Sequence, residues 1–122
     1  MSRVVHFDMK AKEPQKAIDF YTAVFNWTFR KWDNPRMDYW LITTGEANTP
    51  GIDGGLGPGE PLRQPINTIG IKDLDTAIEK VKQNGGKILM PRSLIQGVGW
   101  FASFEDPTGN QFGLEQDDPT AR

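Results

Sequence analysis

Apolar and polar positions alternate over residues 3–9, with Val5, Phe7 and Met9 on one face and Val4, His6 and Asp8 on the other, the period-two mark of a half-buried strand. The period then lengthens. Pro14 suits a first helical position, and Ala17, Ile18, Tyr21, Val24 and Phe25 recur at spacings of three and four, which predicts a helix with one apolar stripe ending near Asn26. Residues 27–32 and 37–44 are β-rich runs separated by Asp33-Asn34-Pro35-Arg36, whose side chains favour a turn, so a hairpin is expected. A short glycine-rich strand is expected over 51–56, after which Gly57-Pro58-Gly59-Glu60-Pro61 breaks regular structure and reads as a linker.

The second half repeats this order. Residues 66–71 read as a strand, Asp73 or Asp75 can cap a helix, and Leu74, Ala77, Ile78 and Val81 form its stripe before Gly85-Gly86 end it. Two further strands follow over 88–91 and 98–104. Asp106-Pro107-Thr108-Gly109-Asn110 has the chemistry to reverse the chain, and residues 111–116 close the set. An offset of 60 residues aligns Ala17-Ile18 with Ala77-Ile78, Met9 with Ile69 and Ile52 with Phe112. Self-similarity at a fixed spacing points to internal duplication. The expected fold is therefore α+β, two tandem βαβββ modules in one domain: module 1 over 3–56, a linker over 57–65, module 2 over 66–116 and a tail over 117–122.

Length agrees with a single domain, since 122 residues and 13.7 kDa can enclose a core without staples. Net charge is −2 and the pI about 5.3, so no basic surplus invites a nucleic acid. The absence of cysteine removes disulfides, thiolate nucleophiles and Cys-based zinc sites, and His6, the one histidine, excludes His-rich metal chemistry. The apolar run at the N-terminus is too short for a signal peptide and no 18-residue apolar stretch follows, so a cytoplasmic protein with no membrane association is expected. Gly54-Gly55 and Gly57-Pro58-Gly59 lack the Lys-Ser or Lys-Thr and the following helix of a phosphate loop, and no Gly-x-Ser-x-Gly elbow is present.

The opening Val-Val-His-Phe-Asp, the helix Ala-Ile-Asp-Phe-Tyr-Thr-Ala-Val-Phe-Asn-Trp and the closing Glu-Asp-Pro-Thr-Gly-Asn-Gln-Phe-Gly-Leu resemble the vicinal-oxygen-chelate superfamily, the glyoxalase, bleomycin-resistance and extradiol-dioxygenase group. Gly51-Ile-Asp-Gly-Gly-Leu56 and Gly97-Val-Gly-Trp-Phe-Ala102 look most like its lactoylglutathione-lyase-related branch. The resemblance covers essentially the whole chain. It implies two curled mixed sheets, each with one helix outside, forming a cleft, and in metal-dependent members one ligand on the first and one on the last strand of each module.

At those four positions this chain has His6, Asp53, Ile66 and Gly113. The first two can bind a metal and the last two have no donor atom. Asp8 and Glu115 lie two residues along from His6 and Gly113 on the same strand faces, so a rearranged site for a divalent metal would use His6, Asp53 and Glu115. Against that, His6 reads as a cleft-wall residue bonded to a neighbour, and Asp53 beside Gly54 fits ordinary turn chemistry. Trp32, Tyr39, Trp40, Trp100 and Phe101 fall on segments that line the cleft in this fold, whereas Phe20, Tyr21, Phe25 and Phe112 read as core. The expected function is binding of a small organic molecule by His6, Asp8, Trp40, Trp100 and Phe101, with no cofactor. The alternative is a metal-dependent lyase or isomerase in which Glu115 shuttles a proton. Chains of this size in the family commonly pair, and exposed sheet edges point the same way, so a homodimer is expected.

Overall fold

A computed structural model describes residues 2–122. It is an α+β structure of eight strands and two helices: β1 Arg3–Ala11, α1 Pro14–Phe25, β2 Thr28–Lys31, β3 Trp40–Thr43, β4 Asp53–Pro58, β5 Ile66–Gly70, α2 Leu74–Gln83, β6 Lys87–Ile95, β7 Gly99–Glu105 and β8 Gln111–Asp117. The chain divides into two compact units, one of His6–Ile66 and one of Asn67–Arg122 together with the first residues through Val5.

In the first unit the strand order is β2-β3-β4-β1, antiparallel except for the parallel pair of β1 and β4. Pro14 opens α1 as its ring geometry favours, and Asn26 closes it in the left-handed conformation, with its N–H on Thr22 O at 3.1 Å and that of Trp27 on Tyr21 O at 3.4 Å. That turn lays the Trp27 ring flat against Tyr21, 5.0 Å between centroids, and brings it to 6.0 Å from Phe7 of β1. The apolar stripe is narrower than its spacing suggested. Ala17, Ile18 and Tyr21 are half-buried, but Phe20, Val24 and Phe25 are 55%, 54% and 55% exposed, so Phe20 and Phe25 are not core residues. One helix face subtends too little arc to bury two neighbouring positions equally, and Tyr21 and Ile18 take the inward places. The break expected from Gly57 begins only at Gly59, because Gly57 and Pro58 complete β4 beside β1.

The second unit has the order β5-β8-β7-β6, with β5 and β8 parallel and the rest antiparallel. Asp73 caps α2 through Thr76 N at 3.2 Å and Thr76 Oγ1 at 2.9 Å. Leu74, Ala102 and Leu114 are buried together, with Ile69, Ile71, Ala77, Ile78, Trp100 and Phe104 packed around them, so the stripe of α2 meets the sheet as its periodicity requires. β6 runs through Pro91 to Ile95 rather than stopping there. It ends the strand order, and its pairing with β7 shifts register between Met90 and Ser93, which accommodates a residue with no N–H to give.

The turn into β8 is held by one carboxylate. Asp106 accepts from Thr108 N, Thr108 Oγ1, Asn110 N and Asn110 Nδ2 at 2.8–3.0 Å, and these bonds, that from the Asn110 side chain first, hold its pKa far below the ordinary 3.8. Bonds to the charged form stabilise the fold only while the group is ionised. The contribution is therefore complete above pH 4 and fades as acid takes the turn below its unfolded value of 3.8. Asp106→Asn should lower stability at neutral pH and flatten its acid dependence below pH 4, as measured by urea unfolding across that range. A variant with the same acid slope as the native chain contradicts this role.

Candidate functional site

Pairing in the first unit sorts side chains onto two faces. β1 lies beside β4 with His6 opposite Asp53, Phe7 opposite Gly54 and Asp8 opposite Gly55, while β3 sets Leu41 opposite Gly55 and Ile42 opposite Gly54. Phe7, Gly54, Ile42, Leu56 and Trp40 share the face toward α1, and His6, Asp8, Gly55 and Leu41 share the other. Tyr39, two residues before Leu41, joins that second face. Its carbonyl holds Trp32 N–H at 2.8 Å, the two rings meet edge to face at 6.0 Å, and its phenol reaches across the sheet over Gly55.

There it connects two strand side chains. The Tyr39 hydroxyl donates to Asp8 Oδ1, and His6 Nε2 lies 3.0 Å from the same hydroxyl and 3.4 Å from Asp8 Oδ1. A phenol has one proton and Asp8 receives it, so the imidazole contact is Nε2–H donating to the phenol oxygen. The result is a directed chain, imidazole to phenol to carboxylate, with His6 and Asp8 side chains 27% and 34% exposed. Gly55 makes it possible. A Cβ at that position would coincide with the Tyr39 hydroxyl and ring, so the phenol occupies the space that any other residue would fill.

Asp53, opposite His6 in the pair of β1 and β4, shares that face, and the other expected site residues lie elsewhere. Asp53 is exposed at the start of β4, where Gly54 and Gly55 continue the strand and form no turn, and its Oδ1 accepts from Thr44 N at 2.8 Å and stands 3.2 Å from Thr44 Oγ1. Trp40 is on the α1 side, with Lys31 Nζ 5.1 Å from its ring centre. In the second unit Trp100 packs on the α2 side with Ala102 and Leu114, under an Arg92 guanidinium 4.2 Å from its ring that also bonds Asp75 at 2.6 Å. Phe101, one residue on, points to the opposite face, as do Glu115 and Gly113. Glu115 is half-buried, pairs with Gly70 and Phe101 along the backbone, and accepts Ile71 N–H at its carbonyl, 2.9 Å. Of the five residues expected to bind ligand, His6 and Asp8 form one cluster and Phe101 lies on the second unit's helix-free face. Trp40 and Trp100 lie on the helix sides.

The offset of 60 residues also misses a shift. His6 faces Asp53 in the first unit, but Gly113 faces Thr68 in the second, not Ile66. A Cβ on Gly113 would stand 2.8 Å from Thr68 Oγ1 and 2.9 Å from the Phe101 ring, so the position has no room for a metal-binding carboxylate. Ile66 has no donor, Asp53 is engaged by Thr44, and the described residues contain no group of three or more His, Cys, Asp and Glu that could hold an ion. The side chains present do not fit the divalent metal that the resemblance implies. Also among the described residues, no helix is long and apolar enough to cross a membrane.

Comparison with known proteins supplies the lineage. CFP32 of Mycobacterium bovis, a protein named as a glyoxylase, is 30% identical over 115 residues, which are 89% of this chain and 43% of that protein, so the chain spans less than half the length of this relative. The hypothetical protein BH1468 of Bacillus halodurans superposes with a TM-score of 0.74 over 99% of this chain and 98% of its own, at 16% identity. The methylmalonyl-CoA epimerase of Mycobacterium tuberculosis superposes at 0.71 over 95% and 88%, at 14% identity, a likeness of fold. The profile of one family matches residues 3–114. The chain thus belongs to the Glyoxalase/Bleomycin resistance protein/Dioxygenase superfamily.

Proposed function

We propose that this chain binds a small organic molecule without a metal, on the face of the first unit's sheet that carries His6, Tyr39 and Asp8. The carrying observation is the hydrogen-bonded chain of those three side chains, half-buried on a sheet face away from the helix. It presents an imidazole and a carboxylate in fixed orientation beside the Trp32 and Tyr39 rings. A few placed polar groups on an aromatic surface are the usual makings of a small-molecule site. The alternative, a metal-dependent lyase or isomerase with Glu115 as proton carrier, needs ligands that Ile66 and Gly113 lack. The epimerase likeness, at 14% identity, speaks for the fold alone. In this reading the chain also pairs with itself, covering exposed apolar side chains such as Phe20, Val24 and Phe25 of α1. Sedimentation equilibrium giving 13.7 kDa, not twice that, overturns the pairing.

A thermal-shift screen of metabolites and antibiotics, with and without chelator, tests the binding site, since a ligand of the folded state raises its apparent stability. Hits should persist in chelator. His6→Ala should weaken them about tenfold, the worth of one good hydrogen bond, while changing stability by less than about 1.5 kcal/mol, as fits a side chain that is not core-packed. Hits abolished by chelator and restored by Ni²⁺ or Zn²⁺, or indifferent to His6→Ala, contradict the reading. Isomerisation of the methylglyoxal-glutathione hemithioacetal is expected to be absent.

A further inference from the structure

Thr68 is 1% exposed, and its hydroxyl has no hydrogen-bond partner among the described residues. Such a group forgoes water without recompense, and a buried polar atom left in that state calls for a reason. Its surroundings are specific. It lies on the helix-free face of the second unit, opposite Gly113 in the parallel pair of β5 and β8. The Oγ1 and the edge of the Phe101 ring converge on the space above Gly113, at 2.8 and 2.9 Å from where a Cβ would be. Phe101 is half-buried, so its ring borders both this space and solvent. The other face of the same strands is committed to packing against α2 through Ala102 and Leu114.

We propose that Thr68, Gly113 and Phe101 form a subsite for the carbonyl oxygen of a flat, conjugated ligand. The Thr68 hydroxyl donates to that oxygen, and the Phe101 ring rotates off Gly113 to stack on the ligand. Gly113 leaves the backbone flat, which lets a planar group come close. Chemistry selects the class. Thr68 supplies an unpartnered donor beside the Phe101 ring, so the place favours a ligand with an acceptor and an aromatic body; Glu115, opposite Phe101 on the same face, disfavours an anion. The proposal is confined to the second unit's own sheet, goes beyond the site proposed above, and rests on the reading that the chain binds small organic molecules.

The test uses acetophenone and ethylbenzene, similar in shape and differing in the carbonyl oxygen, titrated by NMR into the native chain, Thr68→Val and Thr68→Ser. The ratio of the two affinities cancels the ligands' differing hydration between variants. Ketone preference should fall about tenfold in Thr68→Val and survive in Thr68→Ser, the loss expected for one neutral hydrogen bond. Ligand-free Thr68→Val should melt a few degrees higher, because a methyl replaces an unpartnered hydroxyl. An unchanged ratio in Thr68→Val, or a lower melting temperature without ligand, overturns the subsite. If neither compound binds while the screen yields ligands sensitive to His6→Ala, the subsite alone falls. If no ligand of any kind is found, the wider reading falls with it.

Discussion

Gly55→Ala should take the Tyr39 phenol from between His6 and Asp8 while leaving the sheet folded. The added methyl would occupy the position of the Tyr39 hydroxyl and ring carbons, and something must yield. The strand backbones on either side, Asp8 in β1 and Leu41 in β3, are paired to Gly55 itself and cannot give way. Tyr39 precedes β3 and meets Gly55 with the far end of its side chain, so the phenol swings out. Two hydrogen bonds are lost, one of them to a carboxylate, for a cost of about 1–3 kcal/mol, less about 0.5–1 kcal/mol gained by replacing glycine within a strand. The site suffers more than the fold. Binding of any compound from the screen should fall by about tenfold or more, as in Tyr39→Phe, because both changes remove the phenol's bonds to the imidazole and the carboxylate. Gly57→Ala is the control: its methyl would meet Tyr39 Cδ1 at 3.8 Å, an ordinary contact. Titration of each variant with a screened ligand, alongside urea unfolding, decides the matter. Native-like binding by Gly55→Ala rules out the phenol's bridging role.

How much of this was legible in sequence follows from how local each signal is. The order of strands and helices, the Pro14 start, the Asn26 stop and the α2 stripe depend on residues within one turn or one strand, and the pattern carries them. Strand ends depend on partners. β4 reaches Pro58 because β1 is beside it, and β6 passes Pro91 because a register shift makes room, neither of which a composition break can anticipate. The site shows the same division. His6 and Asp8 were placed together by alternation alone, but Tyr39 is 31 residues from Asp8 and meets it only through the β3–β4–β1 pairing. The signal that could have found it was the glycine pair within a strand, since Gly54 accommodates the Phe7 ring and Gly55 the Tyr39 phenol. Thr68 was hidden by the offset of 60, which compared Ile66 with His6 while the second unit's parallel pair had slipped by two residues. A fixed offset compares positions along the chain, whereas register is set by what each strand pairs with, so the offset missed the slip.

Gly99→Ala is expected to be the most damaging single-methyl change in the chain, costing about 3–5 kcal/mol, whereas Gly97→Ala two residues away should cost about 1–2 kcal/mol. Both glycines have positive φ, 152° at Gly99 and 78° at Gly97, so conformation alone penalises alanine at each. The difference lies in what the methyl meets. At Gly97 nothing stands within 4 Å. At Gly99 it would drive into the Gln116 carbonyl oxygen, 2.8 Å from Asp118 N and 3.1 Å from Asp117 Cα, all of them backbone. That backbone is stitched to the same corner: Asp118 N–H bonds Val98 O at 2.9 Å, Gly97 N–H bonds Ala121 O at 2.9 Å, and Ala121 is buried behind them. Relief requires prying the end of β8 from β7 and exposing Ala121 and these bonds, with no side chain able to absorb the shift. Urea unfolding of both variants should show the midpoint dropping several times further for Gly99→Ala than for Gly97→Ala, with similar slopes if only native stability has changed. Equal losses would mean that positive φ, not the closeness of β8, sets the requirement for glycine at this corner.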